Sequence, residues 1–182
     1  NTADAAALNS TQVAAFNTAQ VAAMETSDLV VMNTASIRAM TTAAIAVMST
    51  DQIAAMNSAQ IASFNTSQAA AIETTDIQAL KTSQLAGLSS TNVQALTTDQ
   101  VAALTTAQVV ALTTAQAPAL TTAGVAALTT AQLVAMETTD LAVLKTAQVA
   151  AMTTKQIGAL TTFQVDALTT AQVQSLTTDD VV

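Results

Sequence analysis

Three short stretches of the chain place two carboxylates three residues apart: Glu25 and Asp28 in METSDL, Glu73 and Asp76 in IETTDI, Glu137 and Asp140 in METTDL. Each pair could in principle share a cation. A calcium ion, however, takes about six to eight oxygens, and no third carboxylate lies near any pair in sequence. The aspartates are therefore read as residues of a first helical turn, where the positive end of the helix favours them, and no metal site is assigned. Ser and Thr hydroxyls are abundant, but the chain has no His and no Cys, and nothing stands ready to activate a nucleophile. We expect no enzyme, no catalytic residue and no cofactor. The seven Met residues recur at one position of a repeat where Leu, Phe and Ile also occur, so they read as core filling and not as a flexible binding groove. Phe163 in TTFQV is the one aromatic side chain expected at the surface.

The elements that position these residues follow from an unusual regularity. With Leu8 as position a, the chain runs in octads a to h without insertion or deletion, as in LTTAQVVALTTAQAPALTTAGVAAL from Leu104 to Leu128. Residues 1–182 read as one continuous array, and because both ends fall within an octad we expect a slice of a longer one. Position a is Leu, Met, Phe or Ile; f is Val, Ile or Leu with few exceptions; c is Thr or Ser from Ser10 onward; h is nearly always Ala. Charges fall at b, d, e and g, and none at a, c, f or h. Ionised groups are rarely buried unpaired, so this exclusion predicts a, f and h in a core, b, d, e and g in water, and the c hydroxyl held inside by a hydrogen bond.

An uninterrupted α-helix cannot satisfy that map, because eight residues leave about 80° of drift per octad. The helix must break once per repeat. Thr, Ser or Asn at b with Gln at e has the spacing of a capping box, and c to h would then form a short helix; a cap at c fits as well, and the residues alone do not choose. The expected fold is all-α, a solenoid of short capped helices, one per octad. The alternative is a β-solenoid, since f-g-h and a-b-c read in-out-in and Thr and Val favour strands. Against it, Ala and Gln are poor strand formers, and the three Gly residues fall at three different octad positions. Pro118, at g, fits either backbone. Burying one Leu and one Val does not offset the entropy of ordering eight backbones, so an octad alone is expected to be unfolded and stacking is obligatory.

Two details suggest how octads stack. Glu73 precedes Lys81, and Glu137 precedes Lys145, by one octad at b, so opposite charges would face each other if successive octads were neighbours. The Glu octads, and likewise Val31, Val47 and Val143, are separated by multiples of sixteen residues, which points to a coil of two octads.

Composition excludes several partners. With 12 acidic and 4 basic residues the net charge is −8, which repels nucleic acid. Charges are absent from Gln100 to Met136, yet a Thr pair and usually a Gln interrupt that run in each octad, so no membrane span is expected. The chain opens without a charged-then-apolar leader, and any targeting signal is expected outside it.

The octads from Leu96 to Leu128 carry Thr at both b and c. Thr97, Thr105, Thr113, Thr121 and Thr129 form a candidate surface array. In composition this resembles Ala/Thr-rich antifreeze proteins, which implies ice or another ordered surface as a ligand. LTTDQVAAL and LTTAQVVAL resemble the opening helix of TAL-effector repeats over less than a third of that unit, without its base-reading loop. More closely, the array resembles the octapeptide-repeat (LTTAQVAA-like) tracts of large secreted or surface proteins of bacteria, the adhesin-like proteins. That resemblance implies a non-catalytic extracellular scaffold at the bacterial cell surface, a rod, stalk or filament that associates with itself or with neighbouring repeats. Few Lys and Arg residues leave trypsin-like proteases few cuts, which suits exposure.

Overall fold

The computed structural model describes residues 1–176; Asp179 and Asp180, which the octad count puts at d and e, lie outside them. The described residues form short α-helices, nearly one per octad, and no strand. The fold is an all-α solenoid. The α-helices start at c and, apart from Thr146–Val149, end at g or h, as in Thr98–Ala103 and Thr106–Val110. The choice between caps resolves in favour of b: the Thr105 hydroxyl accepts the Gln108 N–H at 3.2 Å, while Gln108 Oε1 accepts the Thr105 N–H at 2.8 Å.

The break between helices needs no special residue. Leu104, at a, has φ −55° and ψ 139°, and Thr105, at b, has φ −74° and ψ 158°. Two extended residues turn the chain from one helix to the next, and any L-amino acid adopts those angles. No described residue has a positive φ, which is why so few glycines suffice.

Two compact units divide the chain, Asn1–Ala95 and a second that begins at Leu96, and both follow the same stacking rule. In the first, Thr2–Ala7 packs on Thr26–Val31, Ser10–Ala14 on Thr34–Arg38, and Thr66–Ala71 on Ser90–Ala95. In the second, Thr98–Ala103 packs on Thr122–Ala127 and Thr106–Val110 on Thr130–Ala135. Each helix thus meets the one three octads further on. Side-chain hydrogen bonds described below also reach back to the octad four before, so a turn holds between three and four octads. The two-octad coil is not what forms. Nor do Glu73 and Lys81, or Glu137 and Lys145, pair: among the described residues the ion pair found joins the Asn1 ammonium to Asp4 at 3.9 Å. Successive octads follow one another around the coil, so the residue facing a given b belongs to an octad three or four away.

The burial map is half as expected. Positions a and f form the core, with Leu29, Ile37, Ile45, Ile53, Ile61, Ile77, Leu85, Leu133 and Leu141 fully enclosed. Position c, expected inside, is exposed in most octads, and e, expected in water, is buried from Ser36 onward wherever a preceding turn covers it. Position h is half-buried, and Val31, Val47 and Val143 there are exposed. The Ala preference at h still has a contact behind it: a Cβ added to Gly87 would lie 3.4 Å from the Ser58 carbonyl of the turn before.

Positions e and f face opposite ways along the solenoid. Near the start, f is covered at Val13 and Val21 while Gln12 and Gln20 at e are exposed. In the last described turn the reverse holds: Gln164 and Gln172 are buried, whereas Val165 and Val173 are 48% and 50% exposed. Each turn therefore presents e to the turn before it and f to the turn after it. Pro118 matters more than its position suggested. Its octad has only a short 3₁₀ helix, Ala117–Ala119, in place of an α-helix, because a proline at g cannot donate the i→i−4 bond.

Candidate functional site: the glutamine bridge between turns

The residue that joins turns is the one at e. Gln60 Oε1 accepts the Asn57 N–H at 2.9 Å and so completes the cap of its own helix. Its Nε2 donates to the Leu29 carbonyl at 2.7 Å and to the Met32 carbonyl at 2.9 Å, 31 and 28 residues earlier. Those carbonyls lie at the end of the helix Thr26–Val31, where helical bonding runs out: the Leu29 carbonyl accepts the Met32 N–H at 3.2 Å, and the Met32 carbonyl lies beyond the last helical residue. One buried amide thus caps the start of one helix and the end of another. With a longer bond to the Val30 carbonyl at 3.3 Å, its hydrogen bonds use both ends of the side chain, which is what a buried polar group requires.

The same bridge recurs in both units. Gln52 reaches Val21 and Met24, Gln68 reaches Ile37 and Met40, and Gln84 reaches Ile53 and Met56. In the second unit Gln132 reaches Leu104, Gln148 reaches Leu120, Gln156 reaches Val125 and Leu128, Gln164 reaches Leu133 and Met136, and Gln172 reaches Leu141 and Leu144. Sequence reasoning found the inner half of the bridge, the capping box, and missed the outer half. The signal was the near-constancy of Gln at e, although Glu has the same length and could cap equally well; only the amide carries a donor at its tip.

Octads that lack Gln show what the position demands. Asn92, one methylene shorter, still donates to the Phe64 carbonyl at 2.7 Å, 28 residues earlier, and the Ser36 hydroxyl reaches the Leu8 carbonyl at 2.7 Å. Ala44 and Gly124 simply give up the bridge. The shorter Asn92 accompanies a cleft of about 340 Å³ lined by Arg38, Phe64, Asn65, Thr66, Ser89 and Asn92 among others. It is open and lined mostly by short polar side chains.

Asp76 and Asp140 are buried at the same position with nothing to donate. Asp76 Oδ1 accepts the Thr50 hydroxyl at 2.9 Å, whereas Asp140 Oδ2 is enclosed without a hydrogen-bond partner. Burial pushes both carboxyls above the usual value of 3.8, with the Glu73 carboxylate adding to Asp76 and that of Glu137 to Asp140, while the Thr50 hydroxyl holds Asp76 back. A carboxyl that titrates higher in the folded chain than in the unfolded one binds its proton more tightly when folded. Acidification through the raised pKa down toward 3.8 therefore adds stability, and the gain is lost as pH rises again. Thermal melts in EDTA should show the midpoint of wild type rising over that window relative to an Asp76→Gln, Asp140→Gln double variant.

The candidate threonine array is placed as follows. Thr97, Thr105, Thr113, Thr121 and Thr129 are exposed, and each hydroxyl accepts the N–H three residues on, at 3.2, 3.2, 3.3, 2.9 and 3.2 Å. Thr97 and Thr121 cap one packed pair of helices, and Thr105 and Thr129 another, so neighbours in the array are three octads apart and not one. Thr105→Ala should lower stability by about 1 kcal/mol, read as a shift of the urea midpoint. Phe163 is on the surface as expected, 80% exposed. Among the described residues no group of three or more Asp and Glu side chains gathers as a metal cluster, and no helix is long and apolar enough to cross a membrane.

A solenoid of capped single-octad helices, held turn to turn by a repeated amide bridge, is a repeat protein by construction. The chain belongs to the ALTTAQ repeat family, whose pattern matches residues 21–58, 69–106 and 133–170, more than half of its length. The match at 69–106 includes LTTDQVAAL, and that at 133–170 includes the octads from Met136 to Leu168. No curated protein matches the chain.

Proposed function

We propose that the chain is a structural segment, a spacer or display scaffold outside a bacterial cell, which acts alone or by association with further copies of itself. The observation that supports this reading is how each octad uses its groups. Aliphatic side chains at a and f and the amide at e are all spent on holding the neighbouring turns. What remains outward is a short, repeated set of mostly Thr, Ala and Ser residues with scattered, mainly acidic charges. Such a surface repeats a spacing and does not converge on a substrate. The low number of basic residues, four in the chain, supports survival among trypsin-like proteases. Ice or another ordered surface is the less supported ligand, because layers of packed helices stand about 8–10 Å apart, wider than the strand spacing of about 4.8 Å that brings threonine rows close together.

Negative-stain electron microscopy of the purified chain tests the proposal. Elongated particles, separate or joined end to end into fibres, would support it. Rounded particles of uniform diameter, together with a hydrolase or transferase activity in the same preparation, would refute it.

A further inference from the structure

We propose that Asp140 and Glu137, with the main-chain carbonyl of Leu112, form a weak site for a divalent cation of the calcium type that bridges two turns of the second unit. The register of the repeat places the site. In the flanking octads the side chain at e meets the carbonyl 28 residues earlier: Gln132 meets Leu104 and Gln148 meets Leu120, the latter at 2.6 Å. Asp140 by the same count stands opposite Leu112. A side chain of its length does span the gap, since Asn92 closes the equivalent distance to Phe64 at 2.7 Å.

Where Asn92 brings an N–H donor, Asp140 brings a carboxylate. By that register the Asp140 carboxylate meets an acceptor, the Leu112 carbonyl, where the neighbouring octads put an amide donor. Asp140 is 2% exposed, and its Oδ2 has no hydrogen-bond partner. At Asp76 the Thr50 hydroxyl supplies a donor; the residue in Thr50's place is Thr114, in the octad that Pro118 distorts, and it leaves Oδ2 unsatisfied. Buried oxygens without donors call for a positive species.

Glu137 identifies that species as a metal ion. It occupies b, where Thr or Asn would cap the helix, yet its side chain makes no cap bond. Glu stands at b in three octads of the array, and Asp stands at e in all three, at 25 and 28, 73 and 76, 137 and 140. The exchange of Thr and Gln for Glu and Asp removes a cap and a bridge together and adds two negative charges on one helical turn. The groups the site offers are oxygens, from Asp140, Glu137 and the Leu112 carbonyl, and Glu137 is exposed, so water can complete the set. Calcium accepts such irregular, partly hydrated oxygen sets, whereas magnesium holds its own water in strict octahedral geometry. The ion would take the place of the missing amide, binding the Asp140 carboxylate on one turn and the Leu112 carbonyl on the other.

The test is thermal unfolding of the purified chain, stripped with EDTA and then measured at pH about 7 with calcium or magnesium at about 10 mM, roughly ten times the dissociation constant of a weak extracellular-type site. Calcium should raise the midpoint by about 3 °C, magnesium by less. Asp140→Gln restores the residue of the neighbouring octads, so it folds, and it should lose the calcium-specific rise. Glu137→Gln should reduce it, and Asp76→Gln should leave it intact. Equal rises with both metals in wild type and in Asp140→Gln would mean general screening of the acidic chain and would overturn the site. No rise in wild type, or a rise lost in Asp76→Gln and kept in Asp140→Gln, would overturn it as well.

Discussion

Gln60→Met should lower the stability of the unit Asn1–Ala95 by about 3 kcal/mol, although the two side chains have nearly the same length and volume. The methionine fills the space and makes none of the bonds. The Asn57 N–H and the Met32 carbonyl, each met by Gln60 at 2.9 Å, lose their partner, and the Leu29 carbonyl, met at 2.7 Å, keeps only the Met32 N–H. Orphaned groups cost about 1–3 kcal/mol each when water cannot replace the bond; the Asn57 end is exposed and recovers part of its share, the two carbonyls do not. Gln20→Met is the control. Gln20 caps its own helix through the Asn17 N–H at 2.9 Å, but it is exposed, and the change should cost about 0.5 kcal/mol. Urea titrations followed by far-ultraviolet circular dichroism compare the two. Equal effects at the two positions would mean that the amide acts only as a helix cap.

Leu133→Ala should cost about 3–4 kcal/mol. Leu133, at f, is fully enclosed, and its turn is covered by the next through Gln164, which donates to the Leu133 carbonyl at 2.8 Å. Truncation leaves a hole that close-packed neighbours cannot fill without breaking the register of both turns. Val165→Ala, at the same position but half exposed, should cost about 0.5 kcal/mol. In a stacked array the stability is a sum of repeat and neighbour terms, so hydrogen exchange in Leu133→Ala should quicken in the turns on either side of it and little elsewhere.

The sequence shows the local element clearly and the stacking poorly, and the reason is physical. Thr at b and Gln at e are three residues apart, so the capping box is readable within one octad, and so is the a and f core. The partner of Gln at e lies 28 and 31 residues back, a separation that no single octad contains. Position e was assigned to water because Asp occurs there at Asp76 and Asp140, yet both are buried; the rule that charges stay outside fails where a carboxyl replaces an amide in a buried bridge. Position c was assigned to the interior because charge avoids it, yet it is exposed at most octads. Its Thr and Ser open the helix one residue after the cap, a place where small polar side chains sit comfortably in water. Charge at Lys81 and Lys145 suggested pairing with the octad before, and the coil of three to four octads puts other residues there. The candidate threonines follow the same pattern. Their exposure and a cap at b were legible within one octad, whereas their three-octad spacing needed the coil.

The central claim is that order comes from contact between turns and is absent within one. Circular dichroism on a synthetic peptide of three octads, residues 104–127, measured beside the whole chain, tests this most directly. The peptide holds every capping box of its stretch but no complete neighbouring turn, so the account predicts a coil spectrum for it and a strongly helical one for the chain. A peptide as helical per residue as the whole chain would show that the octads fold by themselves and that the bridge between turns is incidental.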